Sequence, residues 1–201
     1  MKIIAFVGSP RKGSNVDLLI DQVIEGARSK TEVEAEKIYL YSADIQNCNA
    51  CGVCSPLQGN KDCPLQDDMV ALYPRMQAAD AFIFGSPNHV HTITAAMTNL
   101  FARMQPLIKM EVIRDESGKI VDGRSNSLIQ GKKAVMVVSQ GDFSPSASAL
   151  VLRCLDSNIK DFRLKKIGEV FSTGNLERAA VKQKEADLQQ AFARGVRLAV
   201  V

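Results

Sequence analysis

Three cysteines recur at three-residue spacing, Cys48-x2-Cys51-x2-Cys54, and a fourth follows in Cys63-Pro64. Thiolates this close in the chain can converge on one polynuclear centre, whereas a four-cysteine zinc site more often uses two separated C-x2-C knuckles. A C-x2-C-x2-C run with a further cysteine followed by proline is the usual sequence sign of iron–sulfur ligation. Cys48, Cys51, Cys54 and Cys63 therefore read as ligands of a [4Fe–4S] cluster. A zinc-stapled loop and an empty, reduced loop are the alternatives that stay open. Cys154 falls in a helical stretch and reads as a small packed side chain.

A second constellation is the loop Gly8-Ser9-Pro10-Arg11-Lys12-Gly13-Ser14-Asn15, set between an apolar run and the start of a helical pattern. A helix N-terminus offers free N–H groups and positive partial charge, which suits a phosphate. Ser9, Ser14 and Asn15 add neutral donors, Arg11 adds charge, and Gly8 and Gly13 let the backbone curl close to an anion. The loop is neither a Walker A sequence nor G-x-G-x-x-G, which disfavours a nucleoside triphosphate or a Rossmann-type dinucleotide. A plain capped turn between strand and helix is the competing reading. His89 and His91 are the only two histidines. Either both imidazoles bond to backbone or water, or one donates to a ligand; no cysteine or carboxylate stands beside them to complete a metal pair.

The elements that must position these residues follow from hydrophobic spacing. Lys2–Val7 is an apolar run that reads as a buried parallel strand. Val16, Leu19, Ile20, Val23, Ile24 and Ala27 then fall on one helical face, and Ser14 with Asp17 makes a capping-box start. Glu32–Leu40 alternates as a second strand. Asp67-Asp68-Met69 reads as an acidic helix start. Ala81–Phe84 is a third strand, followed by a helix carrying Ile93, Ala96, Met97, Leu100, Phe101 and Met104. Ala134–Val138 is a fourth strand, followed by a helix over Ser146–Ile159. A strand near Ile167–Phe171 and a charged helix from about Glu177 to Arg197 close the chain. Strand and helix alternate throughout, which predicts a doubly wound α/β domain over 1–201: five parallel strands in the order 2-1-3-4-5, with ligands at their carboxyl ends. Ser42–Gln66, which holds a cysteine-rich insertion over 45–66, the excursion over 105–131, and Ser139–Pro145 fit poorly as plain connections. In the excursion, Val112–Arg114 and Lys119–Val121 flank Glu116-Ser117-Gly118 as a hairpin.

The sequence is ordinary for a globular protein, with 201 residues, 46% hydrophobic and 23% charged. A net charge of +3 with no basic block argues against nucleic acid as a partner. No apolar run approaches membrane length, and the N-terminal run is too short for a signal peptide, which predicts a cytoplasmic protein. There, five cysteines are better explained as metal ligands or redox groups than as disulfides.

GSPRKGSN resembles the FMN-phosphate loop of the NADPH-dependent FMN reductase superfamily, whose fold is flavodoxin-like. Gly85-Ser86-Pro87-Asn88-His89-Val90-His91 resembles its second flavin loop, with histidine at 89 where the family has an aromatic residue nearby. Ser139-Gln140-Gly141 falls where its third loop lies. The compact cysteine motif after strand two is similar to that of the iron–sulfur flavoprotein branch, whose last gap is shorter than Cys54–Cys63. The resemblance implies an oxidoreductase that moves electrons between FMN and a [4Fe–4S] cluster, with NAD(P)H or a one-electron carrier such as ferredoxin as partner, in a homo-oligomer (dimer or tetramer). FMN would be bound by Ser9, Arg11, Lys12, Gly13, Ser14, Asn15 and Val16, by Ser86, Pro87, Asn88, His89, Val90 and His91, and by Ser139, Gln140 and Gly141. The alternatives are an NAD(P)H-dependent FMN or quinone reductase whose cysteine loop is structural, and a non-catalytic FMN-binding module whose loop zinc orders.

Overall fold

Unbroken apolar runs become strands buried on both faces, and the helical stripes between them cover those faces. The computed structural model describes residues 1–200; Val201, the last residue of the expected domain, lies outside the described residues. In chain order the elements are β1 (Lys2–Val7), α1 (Asn15–Arg28), β2 (Glu34–Tyr39), α2 (Asp68–Ala78), β3 (Ala81–Pro87), α3 (Ala95–Arg103), β4 (Ile108–Arg114), β5 (Ile120–Ser127), β6 (Lys133–Ser139), α4 (Ala149–Asp161), β7 (Lys165–Ser172) and α5 (Glu185–Val200). The main sheet is parallel in the order β2-β1-β3-β6-β7. Setting aside the separate antiparallel hairpin β4–β5, this is the expected 2-1-3-4-5 flavodoxin-like sheet.

Alternation along β1 divides the core. Ile4 and Phe6 face one layer with Phe82 and Phe84, under α2, α3 and α4. Ile3, Ala5 and Val7 face the other, under α1 and α5. Phe6 and Phe84 stack with ring centroids 5.5 Å apart, and Phe84 meets Phe101 of α3 at 5.2 Å. Each such buried side chain contributes roughly 1.5–3 kcal/mol relative to exposure. On the opposite face α1 and α5 touch backbone to backbone. A Cβ on Gly26 would stand 2.0 Å from the Phe192 carbonyl oxygen, and one on Gly195 1.9 Å from that of Val23.

Strand and helix ends shift by one to three residues from the expected ones, with β2 at Glu34–Tyr39, β3 running on to Pro87 and α3 leaving out Ile93 and Met104. Three differences are larger. The hairpin is longer than its predicted core, because the polar stretch Asp122–Ser127 pairs with Ile108–Ile113 through backbone bonds that need no apolar pattern. A 3-10 turn over Pro145–Ser148 precedes α4. The last helix starts at Glu185 rather than near Glu177, since Ala179 takes φ 63° and a separate 3-10 turn, Ala180–Gln183, intervenes. No helix among the described residues is long and apolar enough to cross a membrane.

Candidate functional site

The carboxyl ends of β1, β3, β6 and β7 open into a cleft of about 180 Å³ that is continuous with solvent. Its walls are Ser9, Pro10, Arg11, Ser14, Asn15 and Val16 from the first loop, Pro87, Asn88, His89 and Thr94 from the second, Ser139, Gln140 and Gly141 from the third, and Asn175 after β7.

Ser14 caps α1, its Oγ accepting from the Asp17 N–H at 3.3 Å. The capping box is not closed on Ser14. Instead the Asp17 carboxylate accepts the N–H of Gly13 at 2.6 Å, a turn that Gly13 makes at φ +68°. Asp17 is 3% exposed, and Lys37 reaches it at 2.5 Å. Burial works against the Lys37 ammonium, but its bonds to Asp17, Asp21 and Tyr39 prevail and hold it above the ordinary lysine range. The N–H groups of Asn15 and Val16, in the first turn of α1, have no intrahelical acceptor and remain for a ligand. The Asn15 side chain does not: its amide donates to the Glu177 carbonyl at 2.9 Å and its oxygen accepts from Val181 at 3.0 Å. Lys12 is turned away over the Tyr39 ring, 5.1 Å from its centroid.

In the second loop the Thr94 N–H donates to Ser86 Oγ at 3.1 Å, fixing the entry to α3. Ser86, Val90 and His91 do not line the cleft. Val90 and His91 form a two-residue turn at φ 55° and 62°, bridged by His89 and Thr92. Such a conformation is costly for a β-branched residue. His91 Nδ1–H donates to the Ala147 carbonyl at 3.0 Å, which draws the 144–148 segment onto this turn. Gln140 is consumed as an organiser: its Nε2 donates to Asp142 and Ser144 carbonyls, and its Oε1 accepts from Asn88 and Ser148. Asn88 Oδ1 and Asn175 Oδ1 are buried without a partner. Both residues line the cleft, and among the described residues neither oxygen finds a donor.

A second, smaller concavity of about 40 Å³ is lined by Cys48, Cys51, Cys54 and Cys63 together with Ala102, Arg103 and Pro106, among others. Burial pushes the Cys54 thiol up, opposed by a backbone hydrogen bond, and the charges of Cys63, Cys48 and Cys51 add to the rise. Among the described residues no three His, Cys, Asp or Glu side chains converge as ligands of a single ion would. A polynuclear cluster takes each thiolate on a different iron, so its ligands stand around a cavity rather than at a point.

The cysteine loop is held by residues the sequence did not single out. Arg103, 1% exposed, binds Asp67 through both terminal nitrogens at 2.5 and 3.1 Å and donates to the Gln46 carbonyl at 2.7 Å. Asp67 also caps α2 through Met69 and accepts from Gln46 N–H. Burial alone would raise the Asp67 carboxyl, but the Arg103 guanidinium and these N–H groups hold it below the usual carboxylate range. Asn99 accepts from Cys48 N–H at 3.2 Å and donates to Ile45 and Gln46. At the tip, Asn60 exchanges two hydrogen bonds with the Met110 backbone, at 2.9 and 3.0 Å. The long Cys54–Cys63 gap thus latches the loop to the β4–β5 hairpin. Cys154 packs against the core from α4, as expected.

Residues 1–157 match the NADPH-dependent FMN reductase family. Among curated proteins, the chain is 33% identical over 103 residues to an iron–sulfur flavoprotein of Methanosarcina thermophila, covering 51% of this chain and 52% of that protein. It is 30% identical over 128 residues to an iron–sulfur flavoprotein of Methanocaldococcus jannaschii, covering 63% and 64%. The first of these matches spans about half the length of the relative. Among solved structures, an NAD(P)H:quinone oxidoreductase from Methanothermobacter marburgensis superposes with a TM-score of 0.72 at 17% identity, covering 98% of each chain. An FMN-dependent NADH-azoreductase from Bacillus anthracis superposes with a TM-score of 0.66 at 12% identity, also over 98% of each chain.

Proposed function

Because the chain belongs to the NADPH-dependent FMN reductase family, we propose that it is an FMN-dependent oxidoreductase whose four-cysteine loop carries a [4Fe–4S] cluster. FMN exchanges electrons singly or in pairs and the cluster singly, so together they join a two-electron donor to a one-electron carrier. The residues fit FMN: first-turn N–H groups and Arg11 stand in the wall of the cleft, and two of its lining residues, Asn88 and Asn175, each hold a buried amide oxygen with no partner among the described residues. They fit a cluster in donor chemistry, four thiols around one cavity, and the relatives named iron–sulfur flavoprotein support the reading.

The observation that carries the proposal is α3. Its cap, Thr94, lines the cleft, and its last turn supplies Ala102 and Arg103 to the cysteine cavity. At 1.5 Å per residue the two lie roughly 13 Å apart along one rigid helix. The chain's own work is positional. The first loop holds the phosphate end, Asn88 and Gln140 fix the walls, and the Asp67–Arg103 pair sets the cysteines against α3. Electrons would come from NAD(P)H or pass to and from a small one-electron carrier such as ferredoxin, in a homo-oligomer.

The test is an anaerobic assay of iron, sulfide, zinc and flavin on freshly purified protein, with the visible spectrum. Flavin with a broad iron–sulfur shoulder and about four irons per chain is expected. The second reading is an NAD(P)H-dependent FMN or quinone reductase with a structural or zinc-bound loop. Within that reading, the lack, among the described residues, of three side chains converging on one ion favours the structural loop over the zinc-bound one. Flavin without iron, alongside NAD(P)H turnover, would establish it.

A further inference from the structure

The segment between β7 and α5 lies beyond residue 157, where the family match ends, yet its Asn175 lines the cleft and its Arg178 bonds to the first loop. Asn15 grips it at two points, Glu177 and Val181, and Val181 is fully buried beneath it. Arg178 donates to the Lys12 carbonyl, and its guanidinium lies over the first loop: a Cβ on Gly13 would stand 3.2 Å from Nη2. Asn175, 7% exposed, donates to Ser139 Oγ and Ser172 Oγ, which leaves its unpartnered Oδ1 in the wall of the cleft.

Besides the N–H groups of Asn15 and Val16, the first loop brings one charged side chain, Arg11, to the wall of the cleft. The N–H of Gly13 is taken by Asp17, the side chain of Asn15 is taken by the segment, and Lys12 is over Tyr39. Arg11 and Arg178 are the guanidinium groups left beside the loop, and a phosphate of charge near −2 takes two such forks well. We propose that residues 175–181 form a strap that completes the FMN site. In it Arg178 is a second phosphate-binding residue opposite Arg11, and Asn175 Oδ1 accepts from an N–H or hydroxyl of the ligand. This rests on the FMN reading of the cleft. Because Asn15 belongs both to the helix start and to the strap's anchor, phosphate binding and strap order are linked.

The experiment compares FMN, riboflavin and inorganic phosphate as ligands of the flavin-free full chain, with Arg178→Ala, Arg178→Lys and Asn175→Ala. Arg178 is exposed, so its variants keep the core intact. Arg178→Ala should weaken FMN about tenfold and leave riboflavin unchanged, the loss of one charge-assisted contact. Arg178→Lys should recover part of the preference, as a point charge in place of a fork. Asn175→Ala should weaken both flavins alike. Hydrogen exchange over 176–183 should slow with FMN, less with inorganic phosphate, and not with riboflavin. A parent protein that binds FMN no better than riboflavin would overturn the FMN-phosphate reading itself. A parent that prefers FMN, together with an Arg178→Ala variant that keeps the whole preference and unchanged exchange, would overturn the strap alone.

Discussion

Asp67→Asn removes one negative charge at almost constant volume and leaves the Arg103 guanidinium buried at 1% exposure without a counter-charge. Breaking a buried pair from one side costs about 3–5 kcal/mol, because the remaining ion is neither solvated nor matched. The amide oxygen that the substitution introduces would still accept from the N–H of Met69 or Gln46, so the capping loss adds no more than about 1 kcal/mol. For a chain of this size each kcal/mol moves Tm by roughly 2–4 °C, so a fall of roughly 6–20 °C is expected. The dependence on pH has a definite sign. The folded carboxyl titrates below its unfolded value, so its contribution is complete above the unfolded carboxylate range and is lost as pH falls through the folded value. The parent should weaken below about pH 4, and the variant should lack that part of the acid slope. Urea midpoints from about pH 3 to pH 7, at fixed salt, measure both effects. A variant within about 1 kcal/mol of the parent at neutral pH, with the same acid slope, would show that the pair does not hold the loop.

Arg11→Ala should weaken FMN roughly ten- to a hundredfold in titrations of the flavin-free protein while sparing riboflavin, the loss of a charge-assisted bond. Cys51→Ala should abolish the iron–sulfur absorbance and bound iron yet retain FMN, since the phosphate loop is on another part of the chain; Cys154→Ala should do neither. Asn60→Ala should unlatch the cysteine loop from the hairpin, seen as faster alkylation of Cys54 and Cys63 in the metal-free protein with little change in FMN affinity. Gly195→Ala puts a methyl 1.9 Å from the Val23 carbonyl oxygen and should lower stability by about 1–3 kcal/mol or more, read as a lower urea midpoint.

The sheet was legible because parallel strands covered on both faces are written as continuous apolar runs, and β1, β3 and β6 are such runs. The first loop was legible in position but not in use. Nothing local in GSPRKGSN says that the Asn15 amide will turn to Glu177 and Val181, since those bonds join residues that meet only once α5 packs on α1. The cysteines declared themselves by spacing, a local signal. Their support did not: Arg103 sits at the end of a helix whose stripe reads as apolar, and its partner Asp67 looks like a plain helix start. Asn175 and Arg178 carry no motif, and a continuous charged helix was the simplest reading of that stretch. A positive φ at Ala179, which composition does not announce, breaks it.

Pinning the cysteine loop changes how it would take up a metal cluster. In small metal-folded domains the ion must gather a disordered chain, and its binding free energy is offset by the loss of chain entropy. Here the two ends are tied at Asp44–Asp68 and Gln46–Asp67, and the tip at Asn60. The entropy of closing the loop is lost when the domain folds, before any ligand arrives. If the proposed cluster is bound, its loss should therefore leave the loop's backbone in place, and reloading should be fast and should need no refolding of the domain.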